Sequence, residues 1–183
     1  MKPARLALAA CLCLAACSRK APAPAEPKGE RPAMAMYEHP QRLFACQAPP
    51  DWRVLEDQGG SQRATFLGPA GGKAPFSASI SIFEYAAGGA FAAPQDYARA
   101  QATAGAATEL KPRAWKGGQA FEFSQVRKGP KVGAQKPESR EELTVLIPAR
   151  GGFFALVHSA PEGGLAQTAP EFEALLDSFR PAP

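Results

Sequence analysis

Two side chains are of the types that nucleophilic catalysis uses together, the thiol of Cys46 and the imidazole of His158. A histidine beside a cysteine can take up its proton and leave a thiolate nucleophile. Their local sequences argue for a plainer role. Cys46 alternates with Phe44 and Ala48 in a short extended run, where a thiol serves as a small apolar side chain. His158 falls on one strand face with Phe154 and Leu156, so it is expected as a packed, hydrogen-bonded residue of the core or its rim. No Gly-x-Ser-x-Gly elbow, phosphate-cradling glycine loop, His-Glu-x-x-His pair or dinucleotide fingerprint occurs. The pairs Gly59-Gly60, Gly71-Gly72 and Gly117-Gly118 stand alone at the ends of strand-like runs, which is turn chemistry. Glu141 and Glu142 are adjacent and would point to opposite strand faces, the wrong arrangement for a shared acid–base site. Four cysteines and two histidines leave little for a metal centre. The expectation is a protein without catalytic residues, metal or cofactor.

Binding chemistry has one candidate patch. Arg127, Lys128, Lys131, Lys136 and Arg140 cluster around Gly129-Pro130 in a loop between two strand-like segments. Such a loop can meet anionic lipid head groups, polyanionic glycans or an acidic protein face. It can equally be a solvated hairpin tip whose charges keep neighbouring edges from pairing.

The third reactive position is Cys17. Lys2 and Arg5 precede a short apolar run, Leu6 to Ala16, which has the charge and length of an export signal and is too short to span a bilayer. The run ends Leu14-Ala15-Ala16-Cys17, which resembles the bacterial lipobox, in which cleavage before the cysteine accompanies its acylation. The resemblance implies a signal peptide over 1–16, a lipidated Cys17 and attachment to a membrane through its acyl chains. Each buried methylene contributes about 0.8 kcal/mol, so several chains anchor stably. Ser18 in place of Asp implies onward transport to the outer membrane in a two-membrane bacterium. Processing would remove Cys11 and Cys13 and use Cys17, leaving Cys46 as a lone thiol and no internal disulfide. The net charge of +4 falls by two when Lys2 and Arg5 depart, so the basic balance is no nucleic-acid signature.

These residues must be positioned by a chain rich in breakers, with 17 Gly and 19 Pro among 183 residues. After Cys17, the stretch to Pro40 alternates Pro, Ala and charges of both signs without an apolar period, so 17–40 reads as a lipidated cysteine and an extended tether. One domain is expected over 41–183. Strands are expected at 43–48, 52–55, 62–67, 76–85, 119–127, 142–148 and 153–158. In the fourth, Phe76, Ala78, Ile80 and Ile82 share a face opposite Ser77, Ser79 and Ser81. The last, Phe153 to His158, is apolar on both faces, the pattern of a central strand covered from both sides. A helix is expected from Pro94 to Thr103, packing through Tyr97, Ala100 and Ala104. A second follows Thr168-Ala169-Pro170-Glu171, which fits a capping box, with Phe172, Leu175, Leu176 and Phe179 as one apolar stripe. The fold class is α+β, an antiparallel meander flanked by helices.

Three stretches also carry a family resemblance. Phe44 with Pro49-Pro50-Asp51-Trp52-Arg53-Val54, the strand Gly152 to Pro161, and Phe172 with Leu175-Leu176-Asp177-Ser178-Phe179-Arg180 resemble the PsbP-like superfamily, with Asp51 where glycine is usual. That superfamily includes photosystem II extrinsic proteins, a Ran-binding nuclear import factor and many bacterial lipoproteins. The resemblance covers about residues 42–180 and implies an α/β/α sandwich, with no catalytic residues to transfer.

The function expected is that of a membrane-anchored envelope lipoprotein acting as a non-catalytic protein-binding or assembly-support module. A carrier for a small hydrophobic ligand is the alternative, and it requires an apolar pocket near Phe83, Tyr85 and Trp115.

Overall fold

The computed structural model describes residues 32–56, 60–68, 78–104, 106–116, 118–128 and 138–182. The strands in chain order are β1 (Ala35–Glu38), β2 (Phe44–Ala48), β3 (Arg53–Glu56), β4 (Gln62–Leu67), β5 (Ser79–Ala86), β6 (Ala106–Ala107), β7 (Lys111–Trp115), β8 (Gly118–Lys128), β9 (Ser139–Ala149), β10 (Gly152–Pro161) and β11 (Arg180–Pro181). Helix α1 runs from Pro94 to Ala104 and α2 from Ala169 to Ser178, the latter preceded by a single 3₁₀ turn over Leu165–Gln167.

The larger sheet is antiparallel, in the order β3-β4-β5-β10-β9-β8-β6, with β7 also paired to β8. A smaller sheet pairs β2 with β1 on one side and β11 on the other. The main sheet is antiparallel as expected, but it joins two meanders, β3-β4-β5 and β8-β9-β10, through the non-sequential β5–β10 pairing, and the second sheet is an addition to it. β1 also corrects the domain boundary. Residues 35–38 belong to the smaller sheet, not to a tether reaching residue 40, because Tyr37 packs edge-on to Phe66 with ring centroids 5.1 Å apart.

β10 is central, between β5 and β9, and both its faces are buried. On one face Phe154 and Leu156 join Ile80, Ile82, Val145 and Ile147 beneath α2, with Phe44, Cys46 and Ala48 of β2 in the same cluster. On the other, Phe153 and Ala155 join Phe123 and Leu146 beneath Tyr97 and Ala98 of α1. The β9–β10 turn uses Gly151 at φ +83°, and a side chain at Gly152 would run into the Tyr85 carbonyl oxygen.

Both helices differ in detail from their sequence signals. α1 buries Tyr97 and Ala98 with Pro94 and Gln101 half-buried, while Ala100 is exposed. The stripe Pro94, Tyr97, Ala98, Gln101 is itself a helical face at i, i+3, i+4 and i+7. Tyr97 sets its rotation by inserting among Tyr85, Phe91 and Phe153, with centroids 5.2–6.1 Å away. In α2 the stripe Phe172, Leu175, Leu176, Phe179 is buried as expected, but the capping box does not form. The Thr168 hydroxyl bonds His158 instead of a first-turn amide, and the Thr168 N–H donates to the Leu165 carbonyl.

β7 fastens α2. Trp115 Nε1 donates to the Leu176 carbonyl at 3.2 Å, Lys116 Nζ donates to that of Phe179 at 3.3 Å, and Arg113 bridges Glu173 and Glu122. These donors satisfy carbonyls that a helix end leaves free.

Candidate functional site

Cys46 and His158 are both sealed in the core beneath α2. Cys46 is 0 % exposed, and burial pushes its thiol up to about 12, so the thiolate is scarce at neutral pH. His158 is 1 % exposed, and burial pushes its imidazole down to about 4. Its Nε2 shares a hydrogen bond of 2.8 Å with Thr168 Oγ1, and its ring stacks on Phe172 with centroids 4.9 Å apart. A buried thiol and a neutral imidazole committed to a threonine cannot serve substrate in solution. Among the described residues no three His, Cys, Asp or Glu side chains converge as a metal site would need.

The basic hairpin is described at its base only. Arg127 and Arg140 lie directly opposite each other in the β8–β9 register, and Lys128 lies opposite Ser139. Lys131 and Lys136 lie outside the described residues, as do Cys17 and the residues Leu14, Ala15 and Ala16 before it. Both arginines are engaged within the fold. Arg127 Nε contacts Glu142 at 3.0 Å and also bonds Gln101 of α1. Arg140 donates to the Ser159 hydroxyl at 3.0 Å and its carbonyl at 3.2 Å, with Glu138 at 3.6 Å. Two of the five cations therefore brace the hairpin, and Lys128 is exposed at its edge.

The pocket expected of a hydrophobic carrier is not assembled from its three residues. Phe83 and Tyr85 pack with the cluster under α1, whereas Trp115 packs with the cluster under α2 on the other face of the sheet. β-strand alternation and the turn of β7 over α2 separate them.

Clefts among the described residues lie at the rims. One of about 360 Å³ is bounded by Pro49, Pro50, Trp52, Thr168 and Glu171, and one of about 290 Å³ by Thr108, Ser124, Val126, Glu141 and Leu165. A third, of about 450 Å³, opens beside Arg63, Glu84 and Tyr85, between the Gly60-Ser61 turn and the Gly89-Ala90 loop.

A local irregularity builds that third cleft. The β4–β5 register shifts between Gln62 and Ala64, so Arg63 is the extra residue of a bulge. A bulge leaves backbone groups without ladder partners and re-aims a side chain. His39, 2 % exposed, takes up the freed Arg63 carbonyl through Nε2 at 3.2 Å, while its Nδ1 accepts the Gln41 N–H at 3.2 Å. That pair of bonds places the ring proton on Nε2. The Arg63 side chain then reaches Glu84, Nε to Oε2, at 2.9 Å. Sequence reasoning placed His39 in the tether and missed this brace. The signal present was Tyr37 and His39, two residues apart and so on one strand face, with Met36 and Glu38 on the other and Pro40 closing the run.

No family model and no curated protein sequence matches the chain. Solved structures do. CyanoP, the cyanobacterial PsbP of Synechocystis, superposes with a TM-score of 0.52 at 14 % identity over 86 % of this chain and 96 % of that one. LpqN of Mycobacterium tuberculosis, described as involved in cell envelope biogenesis, gives 0.54 at 13 % identity over 82 % and 91 %. The Ran-binding protein Mog1p of Saccharomyces cerevisiae gives 0.51 at 10 % identity over 81 % and 95 %. The chain spans half the length of a Bacteroides thetaiotaomicron protein that it also matches, with a TM-score of 0.55 at 13 % identity. At such identities the likeness concerns the backbone arrangement alone, and by that measure the chain has the PsbP-like α+β fold.

Proposed function

We infer that the protein is a non-catalytic envelope module, anchored by an acylated Cys17 and presenting its α+β body to a protein partner. The observation that carries the reading is the burial of Cys46 and His158, which withdraws the chain's one candidate nucleophile–base pair from solution. The leader ending Leu14-Ala15-Ala16-Cys17 supports export and lipidation, and Ser18 supports the outer membrane as destination. In this reading the tether ends before β1, whose residues Ala35–Glu38 pair with β2. The fold is shared with a Ran-binding protein and with one involved in envelope biogenesis, which supports a role in binding. Within that reading the partner's acidic face meets the hairpin through Lys128, Lys131 and Lys136, held by Arg127 and Arg140 at its base. Metabolic labelling with a palmitate analogue tests the anchor. Wild type incorporates label and fractionates with outer membrane, whereas Cys17→Ser does neither. Label-free wild type, or turnover of a substrate by the purified protein, refutes the reading.

A further inference from the structure

The cleft beside Arg63 combines features that the anchoring and partner-binding reading leaves unused. Its rim carries a guanidinium and a carboxylate side by side, Arg63 and Glu84, with side chains 27 % and 28 % exposed. Arg63 spends only Nε on that pair, so among the described residues its two Nη groups have no partner. The bulge that aims Arg63 here is braced by a buried histidine, which fixes the direction from which the side chain departs. Tyr85 forms one further wall, and the rest are small: Gly60, Ser61, Ala86, Gly89 and Ala90. A volume of about 450 Å³ lies within the range of small-molecule sites and is far below a protein interface.

The charge arrangement selects the ligand class. A ligand of one charge gains from one member of the pair and is repelled by the other, only a few ångströms away. A ligand that carries both signs close together gains from both. Its anionic group takes the free Nη edge of Arg63 in a two-pronged contact, and its ammonium group takes the carboxylate of Glu84. The partial exposure of both side chains leaves them reachable while limiting the screening that weakens fully solvated pairs.

We propose that this cleft binds a small zwitterion, an ammonium and an oxyanion a few bonds apart. A free α-amino acid and a phosphoethanolamine head group share that chemistry. The proposal stands independently of the lipid anchor.

The test titrates the ¹⁵N-labelled full chain carrying Cys17→Ser with four probes and follows the amide signals of Gly60, Ser61, Gly89 and Ala90. The probes are L-alanine, glycerophosphoethanolamine, N-acetyl-L-alanine, which lacks the ammonium, and L-alaninamide, which lacks the carboxylate. At least one zwitterion should shift these four signals saturably, and both blocked probes should bind at least tenfold more weakly. A response to alanine alone assigns a free amino acid as the source, and one to glycerophosphoethanolamine alone assigns a head group. Arg63→Met and Glu84→Gln should each weaken the responding zwitterion at least tenfold. Silence to both zwitterions, or equal binding of a blocked probe, overturns the proposal. The probe comparison is made on the unaltered cleft, so it decides the matter even if either variant fails to fold.

Discussion

His158 on the central strand and Thr168 at the entrance to α2 share a hydrogen bond of 2.8 Å, and this contact replaces the helix cap that the sequence around Thr168 encodes. The threonine is drawn from its own helix to satisfy a buried imidazole. Phe172, one turn into α2, stacks on the same ring at an interplanar angle of 24°. α2 is therefore docked on β10 by a polar contact and an aromatic one, both made by the buried His158.

Burial of that imidazole disfavours its charged form and makes stability depend on pH. The folded imidazole titrates at about 4 against an ordinary 6.5, so between those values the unfolded chain binds more protons than the native one. Stability is complete above pH 6.5 and falls as pH drops through this window. The expected loss is about 1.4 kcal/mol per pH unit, roughly 3 kcal/mol by pH 4. Urea unfolding midpoints from pH 7.5 to 4 should follow this slope, and His158→Gln should flatten it. A slope equal in the two proteins would place the acid sensitivity elsewhere.

The α2 stripe is the chief energetic tie between helix and sheet. Leu176→Ala removes a buried side chain from the cluster that also holds Ile80, Ile82, Phe44 and Cys46, with an expected cost of about 2–5 kcal/mol. Thr168→Ala leaves the buried His158 nitrogen without its partner and should cost about 1–3 kcal/mol. Thermal melts should rank wild type above Thr168→Ala and Thr168→Ala above Leu176→Ala. A melting temperature unchanged in Leu176→Ala contradicts a docked α2.

Which parts of this arrangement were readable before the structure follows from how each is encoded. β5, β8 and β9 announce themselves by apolar alternation, and β10 by a run apolar on both faces, because it lies between two clusters. The stripe of α2 is equally direct. Tertiary competition is invisible locally, so the Thr168–Glu171 box read as a cap although His158, ten residues upstream, claims the hydroxyl. β6 and β11 have two residues each, too few to show a period, and β1 and β7 bury no residue fully, so they show no apolar alternation. His39 lay hidden for a related reason: its partner, the Arg63 carbonyl, exists only because of a bulge 24 residues on. Of the candidate site, the paired arginines at the hairpin base were legible as charge. The residues that hold them in place, Glu142 and Ser159, come from strand register and were not.

Cys46 should be unreactive. Its thiol is fully buried in the cluster beneath α2 and titrates near 12, so both access and ionisation oppose attack. With Cys17 replaced by serine in the chain lacking its leader, a neutral aromatic disulfide reagent at pH 7 should react on the timescale of unfolding. Addition of urea to the transition midpoint should accelerate it at least a hundredfold. Stoichiometric labelling within seconds under native conditions would show an open path to the thiol.

The N-terminal boundary of the body gives a direct comparison. A chain beginning at Pro32 retains β1, Tyr37 and His39, whereas one beginning at Gln41 loses them all. Without His39 the bulge carbonyl of Arg63 loses that hydrogen bond, and Phe44 loses the imidazole ring whose centroid lies 5.1 Å from its own. The shorter chain should be less stable by at least 3 kcal/mol, since it forfeits a buried hydrogen bond and the packing of Tyr37 on Phe66. His39→Ala in the longer chain should reproduce about 1–3 kcal/mol of this. Equal denaturation midpoints for the two chains would return residues 32–40 to the tether.

The hairpin prediction separates bracing from binding. Arg127 and Arg140 each hold partners inside the fold, so replacing them should lower stability as well as any capture of a partner. Lys128 is exposed, and its reversal should leave the fold unchanged. Lys128→Glu combined with Lys131→Glu changes the local charge by four units. If the hairpin meets an acidic face, this double variant should lose salt-sensitive crosslinked capture of the envelope partner while keeping the wild-type melting temperature. In wild type the same capture should weaken steadily from 50 to 300 mM salt, as screening shortens the reach of exposed charges. Capture that survives the reversal, or that ignores salt, assigns the hairpin to keeping strand edges apart and moves the docking face elsewhere on the body.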